Sequence, residues 1–181
     1  MRYHANISEN IVNAAKANDK ALVREIVLDE IVTLIEENPK VLSEALRNSK
    51  VKVSDSPTKE ELINKSAYAL VNNSIFKKNI SVVFAAQSQN RTPAREEFSN
   101  AKGGAKGGGA DPISAISNAV SSIFNFATSS KNLKSEEAKA KAAMYSKIFG
   151  KEQKRNWMPI IIISGVLLIG GVVAYMSLKK K

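Results

Sequence analysis

The sequence predicts an all-α protein: a small N-terminal helical bundle, a flexible glycine-rich linker, juxtamembrane helices and one C-terminal transmembrane helix. Three observations lead there. Apolar residues recur at three- and four-residue spacing through most of residues 1–98, the period of helices with a buried face. Five of the chain's nine glycines crowd into positions 103–109, a composition that interrupts regular structure. Finally, Asn156–Leu178 runs for 23 residues without a charge.

In the first 98 residues each helix has its own signals. Ser8 is placed to cap a helix to about Lys16, with Ile11, Val12 and Ala15 inward. Residues 20–37 hold the longest periodic run. Val23, Val27, Ile31 and Leu34 form one stripe, Leu22, Ile26 and Ile35 lie beside it, and Arg24, Glu25, Asp29, Glu30, Glu36 and Glu37 face out. Asn38–Pro39 ends that helix and opens another carrying Val41, Leu42, Ala45 and Leu46. Lys50–Val53 alternates over too few residues for more than an extended connector. Thr58 and Glu61 form a capping box for a helix with Leu62, Ile63, Ala67, Leu70 and Val71. Ile75, Phe76, Ile80, Val83 and Phe84 fit a fifth helix, although SVVFAA also suits a strand. This domain, 1–98, is expected to dock a protein partner.

Residues 99–112 read as a flexible linker with a root-mean-square reach of about 20 Å. The glycines are no phosphate loop, because no Gly-Lys-Ser/Thr sequence occurs there. Juxtamembrane helices follow over 113–155. Asp111–Pro112 opens ISAISNAVSSIFNFA, with Ile113, Ile116, Val120, Ile123 and Phe124 on one side and only Ser and Asn opposite. Most soluble surface helices carry charges on the wet face; an uncharged one resembles helices that pack into lipid interfaces. The apolar face is therefore expected to meet a membrane or a partner rather than its own domain, with packing on a protein neighbour the other reading. Residues 133–150 form a helix opened by Ser135, Glu136 and Glu137 and stopped at Gly150; it reads as a stalk or as a basic helix on anionic lipid.

A helix from Trp157 to Leu178 is about 33 Å long, against roughly 30 Å of hydrocarbon. Its Ile, Val and Leu residues contribute roughly −3 to −7 kcal/mol to insertion. Trp157, Ile160, Ile163, Leu167, Ile169, Val173 and Tyr175 are the expected anchor, with the two aromatics near its ends. Lys147, Lys151, Lys154 and Arg155 before it, and the tail Lys179, Lys180 and Lys181 after it, would contact headgroups. Gly165, Gly170, Gly171 and Ala174 offer a small-residue face for helix–helix packing and oligomer formation. A span so near the end of the chain predicts a tail-anchored, single-pass protein.

The net charge of +10 is uneven: residues 1–98 hold 14 basic and 13 acidic groups, residues 99–181 hold 13 and 4. The excess surrounds the expected anchor, which points to lipid before nucleic acid. Lysine dominates, and no aromatic interleaves it in the glycine-rich stretch, so nucleic-acid binding would be at most weak and non-specific. With no cysteine and only His4, disulfides, thiolate metal sites, cysteine nucleophiles and imidazole catalysis find few or no residues. Adjacent acids such as Asp29–Glu30 diverge by about 100° around a helix and cannot share a substrate. No enzyme, cofactor or metal is expected.

The order of a glycine-rich stretch, DPISAISNAVSSIFNFA, a Lys/Glu/Ala helix ending YSKIFGK and a terminal span closed by KKK resembles small membrane proteins of lipid-containing icosahedral bacteriophages, especially those of Bacteroidetes hosts. The likeness covers residues 99–181 and rests on architecture and composition. It implies a virion component in the internal membrane, inserted in the host membrane during synthesis and reaching a capsid or vertex protein. The resulting expectation is a structural adaptor. The competing expectation is a holin-like or genome-delivery protein that perturbs bilayers through residues 112–127.

Overall fold

The computed structural model describes residues 6–102, 112–124 and 132–150, and every regular element among them is an α-helix. Helix α1 (Ile7–Lys16) buries Ile7, Ile11 and Ala14, while Val12 and Ala15 are half-exposed, so its inward face is turned slightly from the expected one. Ser8 does not cap it. Asn6 holds the N-cap position, and the Ser8 hydroxyl lies 2.7 Å from Ser88 Oγ, eighty residues on, while the Ser8 N–H donates to that same oxygen at 3.1 Å.

Helix α2 (Lys20–Glu37) begins at Asp19, whose carboxylate accepts from the Leu22 N–H at 2.9 Å, a cap worth about 1 kcal/mol. Its predicted stripe is buried, joined by Leu28, Val32 and Ile35; Leu22 is left exposed. Apolar residues all round belong to a helix with neighbours on several sides. Pro39 opens α3 (Pro39–Asn48) at a position where its missing N–H costs nothing, and Leu42, Ala45 and Leu46 are fully buried. Helix α4 (Lys59–Asn72) starts at Thr58, which accepts from the Glu61 N–H at 3.1 Å. Only half of the capping box forms, since the Glu61 carboxylate turns to Ser54 instead, accepting from its N–H at 2.9 Å and its hydroxyl at 2.6 Å.

The SVVFAA segment is helical, within α5 (Ser74–Ser88), where Phe76 and every residue from Asn79 to Ala86 are buried. A fully enclosed helix loses the one-sided pattern that separates helix from strand in a sequence. Helix α5 packs on α1, α3 and α4. Helix α6 (Arg95–Lys102) runs through the boundary expected at residue 98 and buries Phe98, at 1 % exposure.

The segment beyond the glycines folds back. Helix α7 (Pro112–Phe124) packs most extensively on α5, then on α1 and α2. Residues 132–150 form α8, in which Ala140 and Met144, one turn apart, are fully buried. Gly150 is itself helical rather than a stop. Contacts group Met1–Tyr145 as one unit and Ser146–Lys181 as another. Helices α1–α7 and the first part of α8 thus share a unit, whereas the composition suggests a division at the glycines.

Candidate functional site

Most of the expected membrane residues lie outside the described residues: Lys151, Lys154, Arg155, the anchor positions Trp157 to Tyr175, the packing residues Gly165, Gly170, Gly171 and Ala174, and Lys179 to Lys181. Lys147 is helical and half-exposed. Among the described residues no helix is long and apolar enough to cross a membrane, and no group of three or more acids or histidines could hold a metal ion.

The apolar face of α7 requires a correction. Ile116 and Val120 have no exposed surface, Phe124 has 1 % and Ile123 has 8 %; Ile113 is half-exposed. These side chains fill the bundle rather than meeting a bilayer or a partner. Burial of an aliphatic or aromatic side chain stabilises by roughly 1.5–3 kcal/mol, and this core needs α7 to close it. Ser114, Ser117, Asn118, Ser121 and Ser122, opposite, are half-exposed or exposed.

Helix α8 is clasped to the same unit. Arg24 Nη1 donates to Glu136 Oε2 at 2.6 Å, and the Arg24 guanidinium lies 5.7 Å from the centroid of the Phe124 ring. Lys139 reaches the other Glu136 oxygen at 3.0 Å. Hydrogen bonding from Lys139, then from Arg24, holds the Glu136 carboxyl below the usual carboxylate range. Asn72 Nδ2 donates to Glu137 at 3.3 Å near the end of α4, while the Tyr145 hydroxyl, pushed up by burial and then by Glu60, meets the start of α4. Helix α8 therefore runs antiparallel to α4, with Ala140 and Met144 between these polar ends.

A groove of about 580 Å³ opens beside the α3–α4 connector. Lys50, Val51, Lys52, Lys65, Tyr68 and Ile75 line it, above Ser49, Asn64 and Asn73. Its floor is a buried polar network: Asn73 Nδ2 donates to the Ser49 carbonyl at 2.8 Å, Asn79 Nδ2 to Ser49 Oγ at 2.8 Å, and Ser49 Oγ to the Ala45 carbonyl at 2.6 Å. The connector is held at Ser54, whose carbonyl accepts from Arg47 at 2.6 Å while its N–H and hydroxyl engage Glu61. The Glu61 carboxyl is lowered by the Ser54 hydrogen bonds, chiefly the hydroxyl's.

Lys50 sits in left-handed backbone, φ 63°. The Val51 N–H reaches the Leu46 carbonyl at 3.0 Å and the Lys50 N–H the Arg47 carbonyl at 2.9 Å, the paired bonds of a Schellman ending. Helices α1 and α5 end in the same way, with Asn18 (φ 56°) and Asn90 (φ 53°) at that position. Asparagine tolerates this conformation; lysine pays for its Cβ there.

Comparisons with protein-family models, with curated proteins and with solved structures find no match.

The groove lysines were not legible as a site from sequence. Lys50 and Lys52 stand in a four-residue alternation too short to weigh, and Lys65 lies on a different helix. Tyr68, half-exposed at 50 % against the buried apolar residues around it, is the one local oddity. The core also holds Lys77, 2 % exposed, whose pKa burial lowers.

Proposed function

We propose that this chain is a non-enzymatic, membrane-anchored structural adaptor of a virion with an internal membrane. Residues 156–178 hold it in lipid, flanking lysines meet headgroups, and the helical unit carries the surface that meets a capsid or vertex protein. The observation that supports this reading is the 23-residue uncharged run bounded by Arg155 and Lys179–Lys181. No cation or carboxylate opposes its transfer into hydrocarbon, and its length suits a bilayer. The buried face of α7 argues against the bilayer-perturbing alternative, which would have to pull Ile116, Val120 and Phe124 out of the core first.

Deleting residues 156–181 is expected to move the protein from the membrane fraction to the soluble fraction. Retention of the truncated chain in membranes after a high-salt wash overturns the anchor. Crosslinking in the native particle is expected to join the helical unit to a shell protein; a crosslinked product containing only lipid and this chain overturns the adaptor.

A further inference from the structure

We propose that the groove between Lys50, Lys52, Lys65 and Tyr68 binds an extended acidic peptide segment of a partner protein. This deepens the adaptor reading by giving the partner's chemistry, and it rests on that reading for the partner's existence.

Charge is the first argument. Among the described residues, none of the three lysines forms an ion pair within 4.0 Å; Glu61, hydrogen-bonded to Ser54, offsets part of the Lys65 charge, and Asp55 lies 3.6 Å from Arg47, which leaves Lys50 and Lys52 without a nearby acid. Three ammonium groups on one concave surface raise the local concentration of an acidic ligand. The chain itself offers little to neutralise them. Its segments outside the described residues hold nine basic groups and two acidic ones, so they are repelled and the occupant comes from another molecule.

Backbone and shape favour a peptide over a small anion. The N–H and C=O of Lys52, which lines the groove, make no hydrogen bond among the described residues and are open to a peptide backbone. An extended peptide can pair with that residue while its alternate side chains enter the groove. Val51, Ile75 and the Tyr68 ring give apolar contact for residues between the acids, and about 580 Å³ is within the range of ligand-binding clefts. Arg47, the residue suited to bidentate phosphate recognition, is turned onto the Ser54 carbonyl.

Lys50 supplies the means to test this without harming the fold. Glycine is the preferred residue at its left-handed position, so Lys50→Gly removes the ammonium while relieving the backbone. The assay is fluorescence anisotropy with the full chain in neutral detergent micelles and a fluorescein-labelled peptide of alternating glutamate and valine. The acidic peptide is expected to bind, and its lysine–valine counterpart not to. Lys52→Ser with Lys65→Ser should raise Kd about tenfold, and Lys50→Gly about threefold, at low salt. The Lys50→Gly protein should melt no lower than the parent. Absence of binding, or binding that all three substitutions leave unchanged, overturns the proposal. So does lysine-dependent binding of phosphatidylserine vesicles or inorganic phosphate without peptide binding, which assigns the groove to phosphate chemistry. The readout does not depend on residues 156–178, so failure here and failure of the fractionation test remain separate results.

Discussion

Replacing Phe124 by alanine tests whether the segment after the glycines belongs to the fold. The ring is 1 % exposed at the end of α7 and carries the Arg24 guanidinium 5.7 Å from its centroid. Truncating a buried Phe costs about 3–5 kcal/mol, and losing the cation–ring contact adds roughly 0.5–1 kcal/mol. Arg24 would keep Glu136 but lose the face it rests on, and its Nη2 already has no hydrogen-bond partner. For a cooperative unit of this size, each kcal/mol lowers Tm by roughly 3–5 °C, so the variant should melt about 10 °C lower or more. Far-UV circular dichroism of the full chain in neutral detergent, heated and then titrated with urea, measures this. Asn118→Ala, on the exposed side of the same helix, should stay within about 0.5 kcal/mol of the parent. If both variants melt alike, α7 contributes nothing to the core and its apolar face belongs elsewhere.

Acid should loosen the clasp between α2 and α8. The Glu136 carboxyl is lowered in the folded state from an ordinary 4.5, so its contribution is present above that value and disappears as pH falls through the folded pKa. Melts of the parent and Glu136→Gln should differ at neutral pH and converge as the pH falls through the folded pKa; a constant gap refutes the linkage. Asn79→Asp places a carboxylate against Ser49 Oγ in a fully buried site, and should cost about 3–5 kcal/mol at neutral pH with partial recovery in acid. An unchanged urea midpoint would show that the network under the groove is not rigid.

Local rules carried much of this fold. Thr58 and Pro39 act at helix starts because capping depends only on residues within one turn, although Asp19, which caps α2, is not among the expected caps. The α2 stripe of Val23, Val27, Ile31 and Leu34 shows through its three- and four-residue spacing even though Leu28, Val32 and Ile35 are buried on other sides. Long-range partners were not legible. Ser8 has the chemistry of a cap, but its hydroxyl is committed to Ser88. Phe98 is the sole large apolar residue of α6, too little periodicity to reveal a helix beside glycines. The α7 pattern of Ile and Phe opposite Ser and Asn is the same whether lipid or protein covers it; the packing of α7 on α5 decides, and no local pattern carries that. The groove depends on Lys65 being brought beside Lys50 and Lys52 by the α3–α4 corner, a fact of topology.

The pairing of α1 with α7 also orders events during synthesis. The two helices are about a hundred residues apart, and at roughly 5–20 residues per second α1 waits at least several seconds for α7 to leave the ribosome. The surface of α5 that α7 will cover likewise lacks that neighbour until α7 follows 24–36 residues after the end of α5. A nascent chain paused before residue 112 would therefore be sticky, and its natural hazard is another nascent copy rather than the finished protein.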